Sequence, residues 1–301
     1  MTTRKLSTLI LALTLVVFAS CSNDNDLAPN DDLFVRIPDG TFEAILVDLG
    51  IDSDGIVNQQ ILKSDASDVI NLNLENEGAG SDINDLAGIE AFNNLKYLAA
   101  EMHDLRSIDL SANVKLDTLY LAGNQISSID LSNNPNLRMV DVQSNGLKTI
   151  SGLSNLGDLK MLNLSFNDLE SFSLHNESIE VLYVSHNLLE TIDIIGSINL
   201  TNILLLSNKL KSIDLSKNSL LKTLVISGNL IENINLDQNN ELTHLWISSN
   251  ALLSLDVSGL SKLYNLSIHS NPNLSCVKTE EGQDIATVTK KDGQELNSSC
   301  N

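Results

Sequence analysis

The chain has 301 residues, of which 42% are hydrophobic and 4% aromatic. Its 39 acidic residues outnumber 18 basic ones, which gives a formal net charge of −21 at pH 7. Such a charge repels phosphate groups and therefore argues against nucleic acid and anionic membrane surfaces as partners.

Residues 1–20 have the pattern of a secretory signal. Arg4 and Lys5 precede an apolar run from Leu6 to Ala19, which is too short to span a bilayer. The run ends in Phe18-Ala19-Ser20-Cys21, which resembles a bacterial lipobox. The resemblance implies that Cys21 is acylated and becomes the new N-terminus. An ordinary signal peptide cut nearby, with Cys21 left over, is the alternative. Removing residues 1–20 leaves 16 basic residues, and 16 − 39 gives a charge of −23.

Residues 21–33 are predicted to be a lipidated cysteine followed by an acidic tether. The segment is polar, contains Pro29 and lacks apolar periodicity. Its start, Ser22-Asn23-Asp24-Asn25-Asp26, resembles the surface-export signal of Bacteroidetes lipoproteins. That resemblance implies an outer-membrane lipoprotein that touches the membrane only through its lipid and faces the cell surface. Attachment to the periplasmic leaflet is the alternative.

Residues 34–68 precede a regular repeat and are expected to cap it, because a stack of repeats otherwise exposes apolar edges. The stretch from Phe42 to Leu49 predicts a short amphipathic helix. Asp52-Ser53-Asp54-Gly55 has a fragment of a calcium-loop pattern. Aligning Gly55 with the invariant glycine of that loop, however, places Gly50 and Ile61 where oxygen ligands are needed. We therefore expect a solvated turn and no metal site.

Residues 69–275 contain a repeat of about 21 residues with the pattern LxxLxLxxNxL. The alternating LxL core predicts a strand with one buried face, and the short unit leaves room only for an extended or 3₁₀ return. Stacked units would place their strands about 4.8 Å apart in a parallel sheet. The amide of each repeated asparagine would satisfy backbone groups inside the following turn. The nine rungs of this ladder are His103, Asn124, Asn145, Asn167, Asn187, Asn208, Asn229, Asn250 and Asn271.

These residues resemble the leucine-rich repeat family from Val69 to Ser275. The stretch from Ile83 to Phe92 looks like the internalin type, and the later units carrying IDLS look like the 21-residue repeats of Bacteroidetes surface lipoproteins. The resemblance implies a leucine-rich repeat solenoid: a curved right-handed coil with about ten short parallel strands on its concave face. It also implies little α-helix and a cap at each end. We expect the strands to run from Leu72–Leu74 to Leu266–Ile268.

Side chains six, four and two positions before each rung should point outward, on the concave face. Most are polar, but an apolar and aromatic subset falls on consecutive strands and includes three of the four tyrosines and the single tryptophan. Such a stripe is typical of an interaction site. The alternative is that strands simply favour such residues. The predicted partner-binding residues are Tyr97, Tyr120, Met139, Met161, Val181, Tyr183, Leu204, Leu206, Val225, His244 and Trp246.

The favoured function is binding of a protein partner, as in adhesion or envelope assembly, by a chain that is itself expected to be a monomer. A second hypothesis is glycan capture, with Trp246 flanked by His244 stacking on a sugar ring. Catalysis has no support, because the five histidines are scattered and no glycine-rich phosphate loop is present. No cofactor is expected.

A column of aspartates, each six residues past a rung, indicates a solvated face that keeps the solenoid soluble. A shared cation site is the alternative. The aspartates are Asp109, Asp130, Asp193, Asp214 and Asp256.

The last segment contains two cysteines. With Cys21 assigned to lipid, Cys276 and Cys300 are expected to pair in a C-terminal cap over 276–301. Two reactive thiols are the alternative.

Overall fold

The computed structural model describes residues 33–75 and 82–300. The predicted signal peptide, Cys21 and all of the tether except Leu33 lie outside the described residues. The described chain is a solenoid in which successive coils stack and pair through short parallel strands.

Eleven strands in chain order form one parallel sheet, here called the long sheet. Its neighbours pair in register, so that Leu182 lies opposite Ile203 and Ile203 opposite Leu224. The predicted parallel solenoid is confirmed, with one strand more than the ten expected. The strands are Asn71–Asn73, Tyr97–Ala99, Thr118–Tyr120, Met139–Asp141, Met161–Asn163, Val181–Tyr183, Asn202–Leu204, Thr223–Val225, His244–Trp246, Asn265–Ser267 and Thr287–Thr289.

The additional strand, Thr287–Thr289, lies in the segment expected to form the C-terminal cap. It contains no leucine and keeps only part of the apolar spacing, with Ile285 and Val288, yet it pairs in parallel with Asn265–Ser267. Gln294 lies near it, and its side-chain amide reaches the carbonyl oxygens of Ile268 and Asn271 at 3.4 Å. The glutamine side chain, which is longer than that of asparagine, thus contacts the preceding turn. This coil has no asparagine at the rung position.

The core is a continuous column of leucine-like side chains. Leu116, Leu119 and Leu121 are fully buried, as are the equivalent residues of the other coils. Adjacent strands stack these residues directly on one another, so each coil covers the apolar surface of the one before it. Burying one such side chain contributes about 1.5–3 kcal/mol relative to its exposed state.

The rung asparagines join consecutive coils, as expected. The Asn208 side-chain NH₂ donates to the carbonyl oxygens of Val184 at 2.9 Å and Leu205 at 3.2 Å, and its oxygen accepts from the Leu189 N–H at 3.1 Å. His103 fills the first rung differently. Its Nδ1 accepts from the Ile83 N–H, so the neutral ring donates from Nε2 to the Leu74 carbonyl at 2.9 Å.

A second buried column of amides lies on the returning half and was not predicted. Asn134 is fully buried, and its NH₂ donates to the carbonyl oxygens of Leu110 and Asn113 in the preceding coil. The same arrangement recurs at steps of one or two repeat lengths, so the repeat period would have revealed it. Members of this column are Asn113, Asn134, Asn176, Asn218 and Asn239.

The returning half is extended, as predicted, and forms short parallel sheets. Within residues 95–274, all of which the structure describes, the helical structure is one 3₁₀ turn, Leu153–Asn155. A second 3₁₀ turn, Ile89–Ala91, lies in the first coil. The return sheets pair Ser128–Asp130 with Thr149–Ser151, Ser171–Ser173 with Thr191–Asp193, and Leu255–Asp256 with Cys276–Lys278 and Glu295–Asn297.

The N-terminal segment contains an antiparallel pair, Phe34–Arg36 with Gln60–Leu62, and two α-helices, Gly40–Asp48 and Lys63–Asp68. Asp39 caps the first helix by accepting from the N–H groups of Thr41 and Phe42. Its second carboxylate oxygen accepts from the backbone of Asn84 at 2.8 Å. One side chain therefore satisfies a helix terminus and also ties this segment to the first coil.

Cys276 and Cys300 form a disulfide, with their Cα atoms 5.7 Å apart. Cys276 begins a return strand that pairs with Glu295–Asn297, and Cys300 is buried. The bond therefore closes the last coil against the one before it.

Opposite effects are predicted for two neighbouring leucines. Leu205→Ala should lower the free energy of unfolding by about 2–5 kcal/mol, because Leu205 is fully buried and truncation leaves a cavity. Leu204→Ala should change it by about 0.5 kcal/mol or less, because Leu204 points away from the core. Urea denaturation followed by circular dichroism measures both, and equal losses would contradict this register.

Removal of the disulfide is predicted to destabilise the C-terminal coil. Cys276→Ser/Cys300→Ser should lower the free energy of unfolding by roughly 3 kcal/mol, because the unfolded chain regains the entropy of the opened loop. Peptide mapping without reductant tests the bond itself. Recovery of both cysteines as free thiols from exported protein would refute the pairing.

Candidate interaction surface

The repeat places the predicted binding residues on the solvent side of the long sheet, called here the outer face. Ile203 and Leu205 are fully buried, whereas Leu204 and Leu206 are half-buried on the opposite side of the same strand. The alternation follows from the pleat, which sends successive side chains to opposite faces. Side chains six, four and two positions before a rung therefore point outward.

Direct strand pairing joins the predicted binding residues from Met139 to Leu206 into one apolar stripe across the outer face, called here the stripe. Met139 lies opposite Met161, and Met161 opposite Val181. Two residues farther along the strand, Tyr183 lies opposite Leu204. The stripe therefore crosses the sheet diagonally over consecutive coils.

The predicted binding residues differ in exposure. Trp246 is 43% exposed, whereas Val225, its direct neighbour on the preceding strand, is only 8% exposed. Val225 points outward as its position predicts, but it is too buried to offer much contact area. The remaining predicted residues are half-buried, because bulky neighbours on adjacent strands cover part of each side chain.

The N-terminal end of the outer face is aromatic and acidic. The rings of Tyr97 and Tyr120 lie 5.8 Å apart, tilted by 58°. Burial, followed by repulsion from Asp141 and Glu75, raises the pKa of Glu101. Burial also raises the pKa of Tyr97, with smaller contributions from Tyr120 and the nearby glutamates. This end therefore combines apolar rings with concentrated negative charge.

The C-terminal end of the outer face combines aromatic rings with amide and imidazole groups. The Trp246 indole N–H donates to the Asn265 side-chain oxygen at 3.2 Å. Beside it, the rings of His244 and Tyr264 lie 6.2 Å apart. Tyr264 is 57% exposed but precedes its strand, so it fell outside the outward positions considered in the sequence.

A stacked aromatic pair, Phe166 and His186, was missed by the repeat pattern. Their rings are 4.3 Å apart and 11° from parallel, and Phe166 is 51% exposed. Each directly precedes a rung and has a left-handed backbone, with φ of 57° and 55°. Most other coils place glycine or serine at this position. An exposed phenylalanine in a strained conformation is a recognisable signal of a contact residue.

The aspartate column closes turns on the returning half. The side-chain oxygens of Asp130 and Asp214 accept from the N–H groups of Ser132 and Ser216, two positions on. Hydrogen bonds from those serines hold the pKa of each aspartate below its ordinary value. The carboxylates are exposed and bind hydroxyl and N–H groups of the turns, which supports a solvated face over a shared cation site.

No three acidic, histidine or cysteine side chains converge to hold a metal ion within residues 33–75 and 82–300. In the turn Asp52-Ser53-Asp54-Gly55, Asp54 accepts from the Ile56 N–H and the Asn58 side chain. Its oxygens therefore serve the turn itself.

The histidines also have separate partners. His103 lies in the rung ladder, and His175 pairs with Asp193 at 3.0 Å on the returning half. His186 stacks on Phe166, whereas His244 and His269 contact neighbouring hydroxyl groups. A groove of about 520 Å³ lies elsewhere, lined by Lys148, Asp168, Glu170, Ser171 and Leu188. It contains none of the predicted binding residues.

Across the described ranges, no helix has both the length and the apolar character needed to cross a membrane.

Comparison with known proteins identifies the repeat. Residues 114–155 match the family described as leucine-rich repeats, in two copies. An adenylate cyclase of Schizosaccharomyces pombe is 33% identical over 98 residues, which cover 29% of this chain and 6% of that protein. This is a distant match between leucine-rich repeats.

Solved structures share the fold at low identity. The functional domain of InlJ from Listeria monocytogenes superposes with a TM-score of 0.73 at 22% identity, covering 87% of this chain and 62% of that one. A leucine-rich repeat protein of Leptospira interrogans gives 0.62 at 19% identity, covering 79% and 70%. YopM from Yersinia enterocolitica gives 0.58 at 23% identity, covering 78% and 49%. The chain thus spans less than two thirds of the InlJ domain.

The leucine-rich repeat fold commonly mediates protein–protein interaction and is typically non-enzymatic. The solenoid of parallel strands, the matched repeats and these superpositions agree with one another. The chain thus has the fold of a leucine-rich repeat solenoid, residues 114–155 match the leucine-rich repeat family, and its structural neighbours are internalin-like.

Proposed function

We propose that this protein is a non-enzymatic, surface-anchored lipoprotein that binds a protein partner through the outer face of the long sheet, in adhesion or envelope assembly. The observation that carries the proposal is the continuous apolar stripe from Met139 to Leu206. It occupies rows that the fold alone would fill with polar residues. Each member projects from a strand whose inward side chains are fully buried.

Rigidity supports this assignment. The strands are locked by in-register pairing on both sides and by the asparagine ladder behind them. Binding would therefore order few side chains, which keeps the entropic cost of association low. Aromatic residues and methionine are also enriched in protein interfaces. The half-buried state of Met161 and Tyr183 leaves flat contact area without a large exposed apolar patch.

The exposed pair of Phe166 and His186 extends the stripe at its Leu206 end. The His186 N–H donates to the carbonyl of Leu206 at 2.7 Å, which places the pair beside that end of the stripe. Exposed aromatic side chains are frequent binding hot spots. The pair also explains why a strained backbone is retained here, since glycine or serine serves the same turn elsewhere.

The negative charge of the outer face limits which kind of protein can be the partner. The N-terminal end of the outer face places Glu101 and Asp141 beside the tyrosine pair, on a molecule of net charge −21. A complementary protein would present an apolar ridge to the stripe and basic residues to this end. Among the superposed structures, a plant peptide hormone receptor in complex with RGF2, with a TM-score of 0.51 and 24% identity, shows this fold in a bound state.

The proposed anchor is the lipid on Cys21, which lies outside the described residues. Lipidation and an acidic tether would hold the solenoid at the outer membrane. The resemblance of residues 18–26 to a lipobox and an export signal supports this part of the proposal.

Charge introduced into the stripe is predicted to weaken binding. Leu204→Asp/Leu206→Asp should reduce affinity at least about tenfold, because interface anchors are each worth on the order of 2 kcal/mol. The fold should survive, because both side chains point away from the core. Proteins captured from biotinylated cell surfaces by immobilised mature chain would be purified and titrated against each variant.

The matched control is Leu220→Asp/Leu230→Asp, which adds the same charge at two exposed leucines away from the outer face. It should bind like the unchanged protein. Equal affinity of all three proteins, or equal losses in both variants, would remove the stripe as the contact surface.

Lipid anchoring makes a separate prediction. The mature protein should begin at an acylated Cys21, and Cys21→Ser should move it from the membrane to the soluble fraction. Intact-mass measurement of the membrane-extracted protein checks this directly. An unmodified N-terminus at Ser22 or later would show that residues 1–20 are an ordinary signal peptide.

A further inference from the structure

The C-terminal end of the outer face carries two strongly exposed aromatic side chains. Trp246 is 43% exposed, and Tyr264, which precedes the next strand, is 57% exposed. Between them, His244 and Asn265 lie directly opposite each other on adjacent strands. The four side chains form one cluster, here called the tryptophan cluster.

A hydrogen bond fixes the orientation of the indole. Trp246 Nε1–H donates to Asn265 Oδ1 at 3.2 Å, so the one polar group of the ring is already satisfied. The part of the ring that faces solvent is therefore apolar. The Asn265 NH₂ group makes no hydrogen bond among the described residues and remains a donor beside the ring.

The hydrogen bonds of Thr243 fix the tautomer of His244. The Thr243 hydroxyl donates to the Lys222 carbonyl at 3.0 Å, so its oxygen acts as acceptor toward His244 Nδ1 at 2.9 Å. The Nδ1 atom of the neutral ring must then carry the proton. His244 Nε2 is left as a hydrogen-bond acceptor with no partner in the described part of the chain.

The groups around the exposed indole are mainly neutral and polar. Ser267 follows Asn265 on the same face, and its hydroxyl bonds that of Ser248 at 2.8 Å. Glu241 and Lys262, which precede the two strands, neutralise each other in an ion pair at 2.6 Å. An apolar ring thus lies among neutral donors and acceptors, on a protein whose net charge of −21 opposes anionic ligands.

We propose that the tryptophan cluster is a binding site for a neutral saccharide. A pyranose ring has an apolar C–H face, which matches the exposed indole, and a rim of hydroxyl groups that both donate and accept. The Asn265 NH₂ would donate to one hydroxyl, and His244 Nε2 would accept from another. Tyr264 extends the apolar platform toward a second ring of an oligosaccharide.

This site goes beyond the proposed function and is independent of it. The stripe is apolar, with its test positions at Leu204 and Leu206, whereas the tryptophan cluster combines aromatic faces with unpaired polar groups. Val225, between the two, is almost fully buried. Saccharide binding can therefore be measured without any protein partner.

The chain itself supplies the probe, because Trp246 is its single tryptophan. Intrinsic fluorescence of the mature chain would be titrated with cello-, laminari-, manno- and xylo-oligosaccharides, and with oligogalacturonate as an anionic comparison. At least one neutral oligosaccharide should change the emission saturably, and oligogalacturonate should not. Calorimetry with the same sugar then measures variants that lack the indole.

Three substitutions test the assigned roles. Trp246→Ala should abolish binding, whereas Asn265→Ala and His244→Ala should each weaken it about tenfold, the loss expected for one hydrogen bond. Trp246→Phe keeps a ring without its N–H and should retain part of the affinity. Leu204→Asp/Leu206→Asp should bind sugar normally. Unchanged melting temperatures confirm that each variant is folded.

The proposal is overturned if no neutral oligosaccharide binds saturably, if oligogalacturonate alone binds, or if Trp246→Ala leaves the affinity unchanged. If an oligosaccharide binds and Leu204→Asp/Leu206→Asp keeps full affinity for the protein partner, the stripe is ruled out as the contact surface and the saccharide site stands. If partner binding depends on the stripe and no oligosaccharide binds, the saccharide site is ruled out and the stripe stands as the contact surface.

Discussion

The amide bridge between consecutive coils is the constraint on which the remaining structure depends. A coil of about 21 residues turns too tightly to pair all of its own backbone groups, and many of these groups are buried. Asn208 resolves this by donating to two carbonyls, one of them in the preceding coil, and accepting an N–H from that coil. An unpaired buried amide or carbonyl would cost about 1–3 kcal/mol per group. Repeating the bridge makes each coil the template for the next.

Two properties of the binding surface follow from this bridge. First, it fixes the register, so the same rows always face solvent and can vary without disturbing the leucine core. Secondly, it requires a left-handed residue just before the rung, as at Phe166 and His186. Serine or glycine meets this requirement easily, whereas phenylalanine meets it at the cost of backbone strain. The molecule thus stores a small local penalty where an aromatic ring is exposed.

The outer face offers different chemistry along its length. Its N-terminal end has tyrosines among carboxylates, its centre has methionine and leucine, and its C-terminal end has an indole among amide, imidazole and hydroxyl groups. A long, rigid sheet permits such zoning because each coil contributes only a few outward side chains. An extended partner contact and a compact ligand site can therefore occupy neighbouring parts of one surface without sharing residues.

The sequence alone determined the elements that depend on period. The ladder, the leucine core, the outward rows and the extended return all follow from spacing, because a 21-residue step places equivalent residues side by side. The pairing of Cys276 with Cys300 followed from parity and from the expected export of the chain. These are local or strictly repeating constraints, and one chain is enough to read them.

The tertiary structure decided what neighbouring coils do to each other. Spacing sends Val225 outward but does not show that adjacent side chains cover it. Nor does it show that Phe166 stacks on His186, that Asn265 holds the Trp246 indole, or that Thr287–Thr289 adds an eleventh strand without a leucine signature. Each of these outcomes depends on side-chain size, rotamer and hydrogen bonding between residues about one repeat apart. Periodicity fixes the direction of a side chain, whereas contacts across coils determine its exposure and its partners.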